Sequence, residues 1–180
     1  RGSGVFVSTD NGANWSAPMS GVMPGRATAL LATDNVVLFA TADRKFYRST
    51  DAGQSWSALQ NAPASVIQDF VQIDGVIWAG DDAGMLHRST DDGLSWSTHD
   101  PGHGNAIHSL ARVYNGDVLM GTTGGVYVSQ DALQTWSPMN TGMPGSSVPS
   151  LFVDDQNDAY AGTSSAGVYR WNPTASAWEA

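Results

Sequence analysis

The sequence predicts an all-β protein, a β-propeller of four-stranded antiparallel blades with about four and a half repeats of one motif. The first observation is the scarcity of helix-forming side chains. The 180 residues include a single lysine and a single glutamate, and only 14% of them are charged. The second is a pattern that returns every 40 to 42 residues, the length of one four-stranded blade. The 41% of hydrophobic residues is enough to build a core, so we expect an ordered chain.

The repeated pattern reads S-x-D-x-G-x-x-W. Three complete copies begin at Ser8, Ser49 and Ser89. A fourth copy begins at Ser129 and has Leu133 where the others have glycine. The fifth copy retains only its final tryptophan. Five copies at nearly equal spacing indicate a repeat architecture that covers the whole chain.

This pattern resembles the Asp-box, or BNR, repeat. The family includes sialidases, xyloglucan-cleaving glycosidases, sortilin-type receptors and photosystem assembly factors, all of which contain β-propellers. The resemblance implies a propeller fold and says little about function. It assigns a structural role to the box residues, which are Asp10, Gly12, Trp15, Asp51, Gly53, Trp56, Asp91, Gly93, Trp96, Asp131 and Trp136.

The residues support the same fold independently of the resemblance. A short run rich in β-branched and aromatic residues precedes each box and predicts a strand, which we call C. These runs are 5–7, 46–48, 86–88, 126–128 and 168–170. In the box, the aspartate can accept turn N–H groups and glycine supplies a positive φ, so the box predicts the turn that leads to strand D. The box tryptophan is expected to bury its ring on strand D.

Two more apolar runs, A and B, precede each complete C–D hairpin. The A runs are 29–32, 69–73, 109–113 and 150–153, and the B runs are 37–40, 76–79, 118–121 and 158–161. Turn-forming residues such as Asp74-Gly75 and Asn115-Gly116 separate A from B. Apolar side chains on both faces of these strands are expected, because propeller blades stack face to face.

The repeat begins in the middle of a blade. We expect one propeller domain over residues 1–180, with a C–D half-blade at 4–18 and complete blades at 27–59, 66–98, 106–138 and 148–180. Three closures are open. The chain is a segment of a larger propeller, the half-blade stands as an incomplete fifth blade, or it completes a sheet begun by strands A and B of the last unit.

The composition limits the kinds of partner that the protein is expected to bind and the cellular location that is expected for it. A formal charge of −9 disfavours nucleic acid and anionic membranes, and no apolar run is long enough to span a bilayer. The absence of cysteine excludes disulfides and thiolate metal sites. We expect no cofactor. An extracellular or cell-envelope location is expected, with any signal peptide already removed or the sequence excised from a longer one.

An enzyme is the disfavoured hypothesis. A sialidase resembling this family would need clustered arginines, a tyrosine nucleophile with a glutamate partner, and an acid/base aspartate. The only glutamate here is Glu179, and the eight basic residues are not grouped. A glycosidase with two aspartates is harder to exclude, because 16 aspartates are present. Repeats of 40 to 42 residues leave no room for the insertions that usually build such sites.

The loops that carry D–A and B–C connections share one face of a propeller, and we call it the top face. Its candidate ligand residues are Arg26, Asp43, Arg44, Asp81, Asp82, His99, Asp100 and His103. Imidazole and carboxylate groups in the loop from His99 to His103 could hold a divalent metal together with Asp81 and Asp82. The spacing matches no standard metal motif, so we expect a polar surface loop instead.

The function that the sequence favours is a non-catalytic scaffold or interaction module. It is expected to self-assemble through the unpaired edge of the half-blade, with Phe6 and Trp15 as apolar anchors. The alternatives are a glycan- or ligand-binding propeller of lectin type and a fragment of a larger Asp-box glycosidase. A protein or glycan ligand is therefore expected besides the homo-oligomer. Dissimilar residues at matching top-face positions, such as Arg44, Asp82 and Thr123, count against a repeated glycan site.

Overall fold

The structure is a computed structural model that describes residues 5–17, 25–113 and 116–180. Its regular elements in these ranges are sixteen strands in four antiparallel sheets of four. Each sheet follows chain order, so that each strand pairs with the strand before and after it. The predicted all-β propeller fold is confirmed. We call the sheets blades I to IV and their strands A to D from the inside outwards.

Blades I and II come first. The strands of blade I are β1 (Ala27–Ala32), β2 (Val37–Thr41), β3 (Phe46–Ser49) and β4 (Ser57–Ala58). The strands of blade II are β5 (Ile67–Ile73), β6 (Val76–Asp81), β7 (Leu86–Ser89) and β8 (Ser97–His99). Both A strands carry a register shift near their start, between Ala27 and Ala29 and between Ile67 and Asp69.

Blades III and IV repeat the same order. The strands of blade III are β9 (Ile107–Arg112), β10 (Val118–Thr122), β11 (Gly125–Ser129) and β12 (Ser137–Pro138). The strands of blade IV are β13 (Ser150–Val153), β14 (Ala159–Gly162), β15 (Val168–Asn172) and β16 (Ala177–Glu179). In all four blades the A–B, B–C and C–D pairs are antiparallel.

The cores lie between blades rather than inside them. One apolar cluster joins blades I and II, a second joins II and III, and a third joins III and IV. Their fully buried members include Phe46, Leu86 and Val126, one on each C strand. Strand A of each blade also contacts strand A of the next. At each of these three joints, two neighbouring blades bury the faces that they turn towards each other.

The N-terminal hairpin lies against blade I. It is held by a two-way backbone pair in which Val7 and Ser16 each donate an N–H to the other's carbonyl at 2.9 Å. Val5 packs against a cluster of Phe39, Tyr47 and Trp56 on blade I. The hairpin thus occupies the outer half of the position that a preceding blade would fill, while blade IV has its own four strands. We call residues 5–17 the half-blade.

The arc of blades is open in this structure. The contacts between A strands run from blade I to blade IV, and the described strands of blade IV make no comparable contact with those of blade I. In blade IV the loop before strand A covers an edge of the sheet: Met143 is buried, and the Trp178 ring N–H donates to the Met139 carbonyl at 2.7 Å. The matching loop at Met19–Met23 lies outside the described residues.

Candidate interaction surface

The aspartates of the boxes are committed to their own hairpins. In blade I, Asp51 Oδ1 accepts the Ser49 hydroxyl at 2.7 Å and the Ser55 N–H at 2.8 Å. The Ser55 hydroxyl donates to Oδ2 at 2.5 Å. The same contacts recur around Asp91 and Asp131. Hydrogen bonds led by the hydroxyl at the Ser55 position lower the pKa of these three carboxyls to about 2.

The rest of the box fixes the turn. The Gly53 N–H donates to the Ser49 hydroxyl at 2.9 Å, and the Trp56 ring N–H donates to the Gly53 carbonyl at 3.0 Å. The glycine has a φ of +85°. Blade III departs from this arrangement because Leu133 takes the glycine place at a φ of +67° and buries its side chain between blades II and III. There the ring N–H of Trp136 is buried without a hydrogen-bond partner.

The half-blade keeps a complete box. Asp10 accepts the Asn14 N–H at 2.8 Å and the Asn14 side-chain amide at 2.6 Å, and these bonds hold the pKa of Asp10 below its usual value. Trp15 donates its ring N–H to the Gly12 carbonyl at 3.1 Å. This hairpin therefore presents the same formed turn as the boxes of blades I and II.

The top-face residues of blade I make only local contacts. Asp43 forms an ion pair with Lys45, with Oδ2 and Nζ 2.8 Å apart, and both side chains are half exposed. Arg44 is exposed and has a φ of +63° in the B–C turn. Arg26 is exposed and uses its carbonyl to accept the Ala42 N–H at 2.9 Å. The arrangement is a braced turn rather than a converging set of ligand groups.

Blade II carries a buried polar pair that the other blades lack. Asp81 accepts the Met85 N–H at 2.7 Å and contacts His87 Nε2 at 2.9 Å. The other ring nitrogen of His87 lies 3.0 Å from the Thr98 hydroxyl, and both Asp81 and His87 are buried. Burial raises the pKa of Asp81, but hydrogen bonds from Ser65, His87 and the Met85 N–H outweigh it and lower the pKa.

The sequence alone missed this pair, although it contains a signal for it. His87 aligns with Tyr47 and Tyr127, so the sequence indicates only a packed side chain. Asp81 occupies the place of Thr41, whose hydroxyl closes the B–C turn of blade I through the Lys45 N–H. Two departures from the repeat in one blade, threonine to aspartate and tyrosine to histidine, mark the two residues as partners.

The structure does not gather the predicted metal ligands. His103 accepts the Asn105 N–H on Nδ1 at 3.0 Å and stacks on Tyr127, with ring centroids 4.9 Å apart. Burial lowers the pKa of His103. Asp100 closes its own turn by accepting the Gly102 N–H at 2.8 Å. His99 ends strand β8 and is exposed.

Asp82 accepts the Val66 N–H at 3.3 Å on the top face, whereas Asp81 is held by His87. Among the described residues, no three histidine, aspartate or glutamate side chains lie close enough together to hold a metal ion.

Asp69 is a half-buried carboxylate that joins two blades. Its Oδ1 accepts the Phe70 N–H at 2.9 Å and its Oδ2 accepts the Leu110 N–H of blade III at 2.8 Å. Burial raises the pKa of Asp69 despite these bonds. Each oxygen is engaged by a backbone amide, so the contacts give Asp69 a structural role.

A feature that distinguishes blade IV is its uncovered face. We define the forward face of a blade as the one that packs on the following blade. In blade I this face includes Leu31 and Leu38, and Phe46 lies beside them on strand C. The strand registers place Phe152, Tyr160 and Val168 of blade IV at the matching positions.

The exposures of these matched positions differ sharply. On strand C, Phe46, Leu86 and Val126 are 1%, 0% and 0% exposed, whereas Val168 is 64% exposed. Phe152 is 62% exposed, and its ring lies beside that of Tyr160, with ring centroids 6.2 Å apart. Beside them, Arg170 forms an ion pair with Asp158 at 2.5 Å. The forward face of blade IV is thus an apolar surface with one arginine beside it.

The opposite, or rear, face is uncovered at the other end of the arc. Phe6 and Trp15 of the half-blade are 48% and 64% exposed. The described residues 5–17 form a single C–D hairpin, and the inner part of the rear face of blade I is also open. Leu30 there is 54% exposed, whereas Phe70 and Leu110 at the same position are 5% and 7% exposed.

The sequence singles out Phe6 and Trp15 but not Phe152, Tyr160, Val168 or Arg170. A signal for the second set would have been the alignment of these residues with the forward-face positions of the other blades. Within the described ranges, the structure has no helix of the length and apolarity that crossing a membrane requires.

Comparison with solved structures returns propellers. YCF48 bound to D1 peptide matches with a TM-score of 0.73 and 16% identity over 97% of this chain and 60% of that chain. The extracellular domain of a one component system, BT4673 of B. thetaiotaomicron, matches with a TM-score of 0.70 and 15% identity over 86% of this chain and 22% of that chain. The GH74 enzyme of Niastella koreensis matches with a TM-score of 0.63 and 19% identity over 97% of this chain and 28% of that chain.

These likenesses show the fold, and the chain spans at most 60% of each of these three proteins. No curated protein matches the chain. A BNR/Asp-box repeat profile matches residues 6–17, the hairpin of the half-blade. A profile for the DUF6242 beta propeller domain matches residues 20–180. The chain therefore belongs to the DUF6242 β-propeller domain family.

Proposed function

We propose that this domain is a non-catalytic interaction module that self-assembles through the two uncovered blade faces. The observation that carries the proposal is the exposure of Val168, 64% against 1% or less at the same position of the three other blades. Large exposed apolar patches on folded proteins are commonly interaction sites. A blade face is shaped to receive another blade, so its natural partner is a β-sheet surface rather than a small molecule.

The carboxylates support a non-catalytic role. A glycosidase needs a pair of carboxyl groups facing each other across a substrate cleft. Asp51, Asp91 and Asp131 are each saturated inside separate hairpins, and Asp69 is held by two backbone amides. The likeness to a GH74 enzyme extends to the fold and carries no catalytic residue to this chain.

We place the module outside the cell or in the cell envelope. Support comes from the BT4673 neighbour, which is described as an extracellular domain. A formal charge of −9 on a surface with few charged residues suits an exposed protein that does not bind nucleic acid.

Light scattering after size-exclusion chromatography tests the proposal. We expect the mass of the full chain to rise with protein concentration in whole multiples of one chain. A variant that lacks residues 1–17 should stay monomeric and keep the fluorescence of its folded blades. A full chain that stays monomeric at every concentration, or a truncated chain that assembles as the full one does, would contradict the proposal.

A further inference from the structure

We infer that the joint between copies is a fifth copy of the internal blade contact: the forward face of blade IV receives the rear face of the half-blade of another copy. This inference rests on the proposed function and names its partner and its contacts. Assembly in which each uncovered face pairs with the same face of another copy would satisfy the proposed function but not this inference.

The chain itself provides the template for the contact. Where blade I meets blade II, the Leu38 side chain lies against the box glycine Gly93, leaving less than 3 Å to a Cβ built there. Beside it, Arg48 Nε donates to the carbonyl of Asp92 at 2.9 Å. The forward face thus contributes an apolar side chain and an arginine, and the rear face contributes the exposed backbone of an Asp box.

Blade IV has an aromatic side chain and an arginine at the corresponding positions, and both bond to aspartates of the same blade; the Tyr160 hydroxyl donates to Asp154 at 3.3 Å. Tyr160 aligns with Leu38 in the strand register, and Arg170 aligns with Arg48. The side chain of Arg170 is 58% exposed and forms an ion pair with Asp158, which immediately precedes the neighbouring strand β14. An arriving box would place its turn carbonyl where Arg170 can donate to it.

The half-blade presents a box with matching backbone geometry. Asn11 and Gly12 have φ values of +56° and +85°, against +55° and +84° for Asp92 and Gly93. The Trp15 bond to the Gly12 carbonyl is 3.1 Å, and the bond in the blade II box is 3.0 Å. The hairpin that would dock on blade IV is therefore already folded in the shape that docks on blade I in the other joint.

The apolar surfaces also complement each other. Phe6 and Trp15 are exposed on the rear face of the half-blade, and Phe152 and Val168 are exposed on the forward face of blade IV. Tyr47, which corresponds to Phe6, and Trp56, which corresponds to Trp15, are 1% and 5% exposed under the half-blade. Docking would bury the four exposed side chains in the same manner.

Both halves of the joint belong to one chain, which favours a second copy as the occupant. The two surfaces differ, so the contact is heterologous and can continue from copy to copy into a ring or a filament. The net charge of −9 opposes the approach of copies, so salt should strengthen the assembly.

A pair of complementary variants tests the joint. Val168→Asp places a charge on the forward face and leaves the half-blade intact, whereas Trp15→Asp damages the half-blade and leaves blade IV intact. Leu94→Asp is the matched control, because Leu94 is 51% exposed on the blade II box and belongs to neither face. Masses are measured by light scattering at a concentration at which the unmodified chain assembles.

We expect each of the first two variants alone to be monomeric and the control to assemble like the unmodified chain. An equal mixture of the two variants should form a dimer and nothing larger, because it contains one intact joint per pair. This rescue also shows that neither variant lost assembly by unfolding.

Three results would overturn the inference. If Val168→Asp and Trp15→Asp each still assemble alone, neither face belongs to the joint, and the proposed function fails together with the inference. If the variants are monomeric but their mixture forms no dimer, the two faces are not each other's partners. If the unmodified chain never assembles, because another protein or a further blade covers the face, the proposed function fails as well.

Discussion

Replacing valine by alanine at one position of strand C in two different blades measures whether a blade face is covered. Val126 is fully buried between blades III and IV, and Val168 occupies the same position at the open end of the arc. Each substitution removes two methyl groups, and each buried methyl contributes about 0.8 kcal/mol. With the cavity term, Val126→Ala should lower the free energy of unfolding by about 2 kcal/mol.

At Val168 most of the side chain already contacts water, because it is 64% exposed. The same substitution should therefore cost at most about 0.5 kcal/mol in the monomer. Urea unfolding followed by fluorescence of the seven tryptophans compares the two variants, at a protein concentration low enough to keep the chain monomeric. If Val168→Ala costs as much as Val126→Ala under these conditions, the face of blade IV is covered within a single chain, and the reasoning fails.

Three further predictions follow from the boxes and from blade II. Gly93→Ala should destabilise the fold by about 1–3 kcal/mol more than Gly75→Ala in urea melts, because both glycines have a positive φ but only Gly93 faces the Leu38 side chain. Acid titration should show a loss of stability as the pH falls from about 4 towards 2. The carboxyls of Asp51, Asp91 and Asp131 have a pKa of about 2 in the fold against 3.8 ordinarily, so their stabilisation is present above pH 3.8 and is lost when they are protonated. Stability that stays constant over this range would contradict the hydrogen bonding of the boxes. Asp81→Thr and His87→Tyr should each destabilise the fold. The double variant restores the threonine and tyrosine found in blades I and III, and it should recover most of the lost stability. If the two losses simply add in thermal melts, Asp81 and His87 are not partners.

The fold could be predicted from the sequence because the box pattern recurs in the chain at the spacing of one propeller blade. Each box needs only local contacts, such as Ser49 to Asp51 and Trp56 to Gly53, so its geometry follows from eight residues. The hairpin and strand positions follow from these local rules. The placement of the half-blade does not, because it depends on Val5 finding the cluster on blade I rather than an edge of blade IV.

The candidate surface was only half predictable. The sequence singles out Phe6 and Trp15 as apolar anchors of the half-blade, and both side chains are exposed. The open face at Val168 depends on whether the arc closes, which is a property of the angle between blades and not of any local pattern. The contact between Asp81 and His87 could not be predicted from the motif, because neither residue belongs to the box. Each residue alone looks like an ordinary substitution in the repeat.

Photocrosslinking from the forward face of blade IV shows whether that face receives the half-blade of another copy. Phe152 is replaced by p-benzoylphenylalanine, which keeps an aromatic ring at a position that is 62% exposed, and the same residue at Leu94 serves as the control. Mixing copies labelled with ¹⁵N and unlabelled copies before irradiation tells contacts between chains from contacts within one. We expect adducts in whole multiples of one chain, with crosslinks from position 152 to residues 5–17 of the other isotopic copy. Crosslinks confined to the same chain, or adducts no more abundant than those from position 94, would contradict it.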